Sequence, residues 1–298
     1  MKTDQALIAR LRAAGCVWAE DEASLLAAAA RSPAELDAMV TRRAGGEPLE
    51  QIVGWAEFCG LRVLVDPGVF VPRRRSEFLV SVAVRLAVAQ YGTVPRVIAD
   101  LCCGTGALGL AVAVRLARSV RLAGEDEGAE SEAIRPAPIG IQLGGVELHA
   151  ADLDPAAIAC ARLNVEPAGG HVYAGDLLGA LPSGLCGRIG VLICNAPYVP
   201  TAEIAFMPPE ARDHEARIAL DGGPDGLAVL RRVAAAAPSW LAPDGVLLVE
   251  TSERQGPSMA GAMAAAGLAP EVHADDDSGA TVVTGARSPR TRRIGFVA

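Results

Sequence analysis

Nowhere in the chain is there an uninterrupted apolar run of about 18 residues, the length a membrane-spanning helix needs. The first residues, Met1 to Arg12, are amphipathic and charged, with no long apolar core and no small-residue cleavage site. No membrane partner is expected, and the chain reads as soluble and cytoplasmic. Basic residues are in deficit: 27 lysines and arginines face 35 aspartates and glutamates, a formal net charge of −8. A chain of that sign is repelled by phosphate backbones, so bare nucleic acid is disfavoured as a partner. The cysteines number seven, an odd count, and form no CxxC pair. Most lie inside apolar segments, which excludes a disulfide frame or zinc site and leaves reduced core residues.

What the sequence does have is apolar bulk. With 298 residues, 51% hydrophobic and 21% charged, the chain can build one large α/β domain and a small appendage. Residues 1–46 are alanine-rich with helical spacing. Ser32-Pro33-Ala34-Glu35 has the form of a capping box with proline at the first helical position, and Gly45-Gly46 supplies the stop. A small helical domain is expected there. Residues 47–76 read as a hairpin linker: strand 61–65, the turn Asp66-Pro67-Gly68, and a short strand 69–71. From 77 to 298, apolar strand-like runs at 96–100, 146–151, 171–175, 189–194 and 246–250 alternate with helical patterns, which implies βαβ units and a mostly parallel sheet. Segments 271–274 and 281–284 flank Asp275-Asp276-Asp277-Ser278-Gly279 and read as a closing antiparallel hairpin. Segment 124–138 is acidic and nearly free of bulky apolar residues, the composition of a disordered insertion.

Four chemical signals fall at the carboxyl ends of successive strands, where open α/β sheets bind ligands. Asn195-Ala196-Pro197-Tyr198 closes the apolar run 189–194 and offers an amide oxygen, a backbone carbonyl and an aromatic face, a grip for a planar NH2 group. Asp100-Leu101-Cys102-Cys103-Gly104-Thr105-Gly106 follows the first strand; its glycines permit a tight turn and close approach to a ligand, and Asp100 can accept from a cationic amine. Asp152 ends the second strand, placed to accept both hydroxyls of a ribose. Asp176 ends the third, in reach of an adenine amino group. Taken singly, each has a structural alternative: a βα turn, a helix cap at Asp152-Leu153-Asp154-Pro155, a solvated loop carboxylate, a proline loop. In order, they describe a nucleoside with a charged amino-acid tail.

The order and spacing resemble class I S-adenosylmethionine-dependent methyltransferases. More narrowly, residues 47–284 resemble the protein-(glutamine-N5) methyltransferases that modify peptide-chain release factors, the HemK/PrmC family. The narrower resemblance rests on Glu47-Pro48-Leu49-Glu50-Gln51-Ile52-Val53-Gly54, on Asp66-Pro67-Gly68-Val69-Phe70-Val71-Pro72-Arg73 leading into a Pro-Arg-Pro-x-Thr-Glu-like motif, and on Asp221-Gly222-Gly223-x-Asp225-Gly226. It implies a Rossmann-like fold with S-adenosyl-L-methionine as cofactor. The protein substrate it implies is a release factor with a Gly-Gly-Gln loop. It implies that Asn195 and the backbone carbonyl of Ala196 accept the two hydrogens of a glutamine carboxamide, that Tyr198 packs on its plane, and that Pro197 fixes the turn. On the cofactor side, Cys102, Cys103, Gly104, Thr105 and Gly106 would wrap the methionine portion, with Asp100 near its amino group, Asp152 at the ribose, Asp176 and Leu177 at the adenine, and Asn195 at the meeting point.

Four departures stand out. Ala196 replaces the first proline of the family's Asn-Pro-Pro-Tyr, and Cys102 stands where the family has glycine. Arg74-Arg75 makes a basic run with Arg73, readable as a solvated turn or a changed partner surface, and the helical domain before Glu47 is shorter by roughly one helix. Ser76 and Glu77 read either as a helix cap and first-turn acid or as active-site residues. Two other functions use the same residues: an adenine-N6-type methyltransferase acting on nucleic acid, whose related turns grip exocyclic amines, and a cofactor-binding protein that has lost turnover. A small-molecule amide or amine is a further acceptor class.

Overall fold

The computed structural model describes residues 5–91, 97–122 and 143–287; the expected insertion at 124–138 lies outside the described residues. The chain begins with four helices: α1 (Gln5–Ala13), α2 (Ala19–Ala29), α3 (Pro33–Ala44) and α4 (Leu49–Val53). Their apolar faces meet in one small core containing Leu11, Leu26, Val40 and Ile52. Ile52 belongs to this core, so the helical unit runs past Gly46. Ser32 caps α3 by accepting from the Glu35 N–H at 3.2 Å. The return half of the expected capping box is displaced by one residue: Glu35 reaches back to the Arg31 N–H at 2.7 Å, and the Arg31 guanidinium closes on the same carboxylate.

The linker hairpin exists, but its strands differ from the expected pair. β1 (Trp55–Phe58) pairs antiparallel with β2 (Leu61–Leu64). The reason is the turn: Cys59 and Gly60 have φ of 53° and 73°, the left-handed pair that a two-residue hairpin demands. The segment that follows docks elsewhere. Gln51 of α4, itself buried, donates to the Val69 carbonyl at 2.9 Å and accepts from the Gly68 N–H at 3.2 Å.

The main body is a seven-stranded sheet of β3 (Val97–Leu101), β4 (Glu147–Asp152), β5 (His171–Ala174), β6 (Ile189–Cys194), β7 (Leu241–Thr251), β8 (Leu268–Asp275) and β9 (Ala280–Arg287). The spatial order is β5-β4-β3-β6-β7-β9-β8, with β9 antiparallel to both neighbours and the rest parallel. Helices α5 (Glu77–Tyr91), α6 (Ala107–Leu122) and α7 (Pro155–Val165) cover one face; α9 (Ala228–Trp240) and α10 (Gly256–Ala265) cover the other, and the short α8 (Pro209–His214) lies in the loop after β6. Alternation along the strands sorts the side chains: Ile98, Val191, Ile193 and Leu248 join the first core, Ala99, Leu192, Leu247 and Val249 the second. The strand runs read from the sequence are recovered, and the closing hairpin is longer than expected. This is the Rossmann-like arrangement of class I methyltransferases. Among the described residues no helix is long and apolar enough to cross a membrane.

The direction of winding reverses at β3, which has β4 on one side and β6 on the other. A crevice therefore opens above the carboxyl ends of β3 and β6, the position at which such sheets receive ligands. Asn164 of α7, fully buried, braces its rear wall. Its Oδ1 accepts from the Leu64 N–H at 2.8 Å, and its Nδ2 donates to the carbonyls of Leu64 and Thr105 at 3.0 and 2.9 Å, joining hairpin, helix and glycine loop. Asn164→Ala leaves the Leu64 N–H and the Thr105 carbonyl without their side-chain partner, while the Leu64 carbonyl keeps only the Cys160 thiol at 3.3 Å. The expected loss is about 2 to 4 kcal/mol in urea denaturation.

Candidate functional site

The glycine loop after β3 is shaped by backbone conformations that few residues tolerate. Cys102, Gly104 and Gly106 have φ of 52°, 55° and 78°. The Cys103 N–H extends the β3–β4 ladder to the Ala151 carbonyl at 3.1 Å, and the Gly104 N–H donates to Asp152 Oδ2 at 2.9 Å. The two glycines serve different ends. At Gly104 a Cβ would meet nothing, so the requirement is conformational; at Gly106 it would stand 2.5 Å from the Val165 side chain, so α7 can close on the loop only because none is there. Gly109 makes a similar approach that the sequence did not announce: its N–H donates to Asp100 Oδ2 at 2.8 Å, and a Cβ there would collide with Asp100.

Cys102 is the first of the departures to be explained. It holds a left-handed backbone without being glycine, beside Cys194 at the end of β6. The neighbouring Cys194 thiol, and then burial, push the Cys102 thiol well above its usual range, so Cys102 remains a protonated sulfhydryl.

The acidic residues divide their work. Asp154, with Pro155 behind it, is the cap of α7 and accepts from the Ala156 N–H at 2.9 Å. Asp152 is not the cap: it reaches across to the glycine loop and also accepts from the Asp154 N–H at 3.0 Å, and burial raises its carboxyl above the ordinary range. Asp176 lies at the rim, where Arg232 of α9 already holds it at 2.6 Å, both side chains more than half exposed. Asp100 is 0% exposed. Burial pushes its carboxyl up to about 7, the Gly109 N–H opposing, and its Oδ1 has no hydrogen-bond partner among the described residues.

These elements surround one cleft of about 1360 Å³, counted with its open mouth. The residues named from the sequence for the acceptor grip and the cofactor line it except two: Asp100 sits behind the loop, and Gly106 faces α7. On the β6 side, the Asn195 Nδ2 lies 3.5 Å from the Ser76 Oγ, a long contact that leaves Oδ1 as the open acceptor. Ser76 is thus neither a simple cap nor solvent-facing; it is buried against the amide. Glu77 turns away and accepts from the Cys59 N–H at 2.9 Å, supporting the hairpin. The Asp221-Gly226 stretch is explained as well: Gly222 and Gly223 form backbone hydrogen bonds with Val199 and Thr201, tying down the loop that carries Tyr198.

Two neighbours of Tyr198 were missed. Gln255 donates from Nε2 to the Tyr198 carbonyl at 2.9 Å, and Glu250, near the end of β7, accepts from the Tyr198 hydroxyl at 3.1 Å; Arg75, named only within the basic run, contacts the Tyr198 hydroxyl and Glu250. Glu250 lay inside an apolar strand run, and only its being a carboxylate in that run could have flagged it. The basic run is solvated only in part: Arg74 is exposed, while its two neighbours are ion-paired. Arg73 pairs with buried Glu215 at 2.6 Å and Arg75 with buried Glu250 at 3.1 Å.

No family model matches the chain. Among curated proteins it is 36% identical over 218 residues to a release factor glutamine methyltransferase of Streptomyces coelicolor, covering 73% of this chain and 67% of that protein. It is 34% identical over 261 residues to a release factor glutamine methyltransferase of Geobacter sulfurreducens, covering 86% and 80%. A 4-amino-L-phenylalanine/4-methylamino-L-phenylalanine methyltransferase of Streptomyces pristinaespiralis is 35% identical over 218 residues, covering 72% and 65%.

The loop geometry sets a test of its own. Cys102→Gly relieves a left-handed side chain and is expected to leave thermal stability unchanged or raised by up to about 1 kcal/mol, whereas Cys102→Val, β-branched at the same φ, is expected to lose at least about 1 to 2 kcal/mol. Equal melting of the two variants would contradict the strain.

Proposed function

The chain belongs to the release factor glutamine methyltransferase family, and from that premise we propose that it methylates the side-chain amide of a release-factor glutamine, in a Gly-Gly-Gln loop, using S-adenosyl-L-methionine. The observation that carries this reading is the adjacency of Asn195 and the glycine loop. Leu101 and Cys194 are register partners on neighbouring parallel strands, so Cys102 and Asn195 leave the sheet side by side. Cofactor loop and acceptor grip are one strand spacing apart.

The residues present suit the cofactor. The loop 102–106 would receive the methionine portion, Asp152 the ribose hydroxyls, and Leu177 with Asp176 the adenine edge. The unpartnered Oδ1 of Asp100 suits a cationic amino group close behind the loop. When bound, S-adenosyl-L-methionine supplies an electrophilic methyl group on a positively charged sulfur. The protein's task is the nucleophile. A carboxamide nitrogen is a poor one, because its lone pair is delocalised into the carbonyl. With its two N–H bonds held by Asn195 Oδ1 and the Ala196 carbonyl, and its plane against Tyr198, the nitrogen is oriented and its electron density concentrated, so much of the barrier is met by positioning and fixed dipoles. Ala196 in place of proline keeps the carbonyl that this role needs. No ionised base is required, since the nitrogen sheds its proton readily once alkylated. The helical unit at the amino terminus is the proposed docking element for the acceptor protein.

An aromatic amine of a free amino acid is a second acceptor class, favoured by the similarity to the 4-amino-L-phenylalanine enzyme. Nucleic acid is disfavoured by the net charge of −8. Incubation with labelled cofactor and either release factor or 4-amino-L-phenylalanine, followed by mass spectrometry, separates these acceptors; label on the Gly-Gly-Gln glutamine is the expected result. Asn195→Ala is expected to lose at least about 100-fold in transfer with cofactor affinity within a few-fold. Asp152→Ala is instead expected to weaken cofactor binding by about 1 to 3 kcal/mol. Retained transfer in the first, or unchanged affinity in the second, would remove that residue's role.

A pH dependence follows from Asp100. Its carboxyl, raised to about 7 by burial, is largely protonated in the free protein below that pH, while a bound ammonium favours the charged form. Cofactor affinity is therefore expected to fall as pH drops below about 7, by up to tenfold per unit, and to level off above it. Asp100→Asn is expected to flatten this profile in calorimetric titrations; an unchanged slope would dissociate Asp100 from the cofactor.

A further inference from the structure

We infer that Arg75 and Glu250 form a positioning pair that sets the Tyr198 ring against the acceptor. The inference rests on the reading of Tyr198 as an acceptor-contacting residue.

Tyr198 is held at both ends. Its backbone carbonyl accepts from Gln255 Nε2 at 2.9 Å, and its hydroxyl donates to Glu250 Oε1 at 3.1 Å. The same carboxylate oxygen accepts from Arg75 Nε at 3.1 Å, and Arg75 Nη2 donates to the tyrosine hydroxyl. The guanidinium carbon lies 5.6 Å from the centroid of the Tyr198 ring. Three side chains from three distant segments, the turn Arg74–Ser76, the loop after β6 and strand β7, thus close one hydrogen-bonded triangle at the wall of the cleft.

The charges explain why all three are needed. Glu250 is 2% exposed, and its Oε2 has no partner among the described residues. A buried carboxylate of this kind keeps its charge only beside a cation. Arg75 provides it, and being 47% exposed it reaches the site from the cleft mouth without being buried itself. With Glu250 charged, the carboxylate is acceptor-only, so the phenol must point its proton there; the phenol, buried and beside Glu250, stays protonated far above neutrality. The direction of the hydroxyl, and with it the ring, is determined. Without Arg75 the carboxylate and the phenol would lose the guanidinium that joins them, and the tyrosine its fixed orientation. The adjacent Ser76 touches Asn195, so one short turn braces both groups that would grip the acceptor.

Two measurements test this. In steady-state assays with release factor, Arg75→Ala and Tyr198→Phe are each expected to lower kcat/KM for the acceptor roughly tenfold with the cofactor KM unchanged; if Arg75 acts through the hydroxyl, the double variant is no worse than the poorer single one. Arg75→Lys, which retains the cation, is expected to recover part of the loss. Additive losses, or no loss in Arg75→Ala while wild type is active, would overturn the inference. The second measurement needs no acceptor. With ζ-13C-labelled tyrosine, the Tyr198 resonance, assigned by its disappearance in Tyr198→Phe, is expected to shift in both Arg75→Ala and Glu250→Gln at unchanged melting temperature. A resonance that stays in place in both variants would overturn the inference. Inactivity of the wild type towards release factor would instead refute the proposed acceptor, and the spectra would still decide the role of the pair.

Discussion

The parallel register of β3 and β6 is the constraint on which the site depends. Leu101 opposite Cys194 brings Cys102 and Asn195 out of the sheet as neighbours, at the point where the winding of the sheet reverses. A slip of one residue in β6 would turn Asn195 to the opposite face and exchange Ile193 with Cys194 between the two cores. Because both strands are buried along their full length, such a slip is opposed by the packing of both faces. The chemistry of the cleft is thus held in place by the hydrophobic core beneath it.

Small residues let the helices close on that register. Gly109 allows α6 to begin against Asp100, and Gly106 allows α7 to approach the loop. Asn164 then joins α7 to the hairpin and to Thr105. Close approach and hydrogen bonding make the glycine-loop side of the cleft a rigid wall, and Cys102 bends through a left-handed conformation to complete it.

The helical unit and the β6 side of the cleft are organised by charge. Glu22, Glu215 and Glu250 are buried carboxylates, and each meets an arginine from a distant part of the chain: Arg43, Arg73 and Arg75. Arg43 also bridges to Glu210 in the loop after β6, so the helical unit and the β6 side of the cleft share an ionic joint. Pairs of this kind contribute modestly to net stability, since desolvation offsets attraction, but they are intolerant of misplacement. They act here as registers between segments. Asp100 differs: among the described residues no arginine or lysine pairs with it, and burial raises its carboxyl.

By itself the sequence determined the strands, their alternation with helices, the helical appendage and the line of polar residues at the strand ends, because periodicity, capping and turn chemistry are local properties. It carried the family's motifs for the same reason. Where it misled, a distant group intervened. The second strand of the hairpin went to Trp55–Phe58 because Cys59-Gly60 makes the tighter turn, while Gln51 and Glu215 claimed the segment at 68–71. Arg75 read as a solvated charge because Glu250 lies 175 residues away. Asp152 and Asp154 could not be told apart until Gly104 was brought beside the first. Tertiary structure alone decided which carboxylates are buried and which cation each one meets, because burial and pairing depend on what the fold brings near, and no local pattern records that.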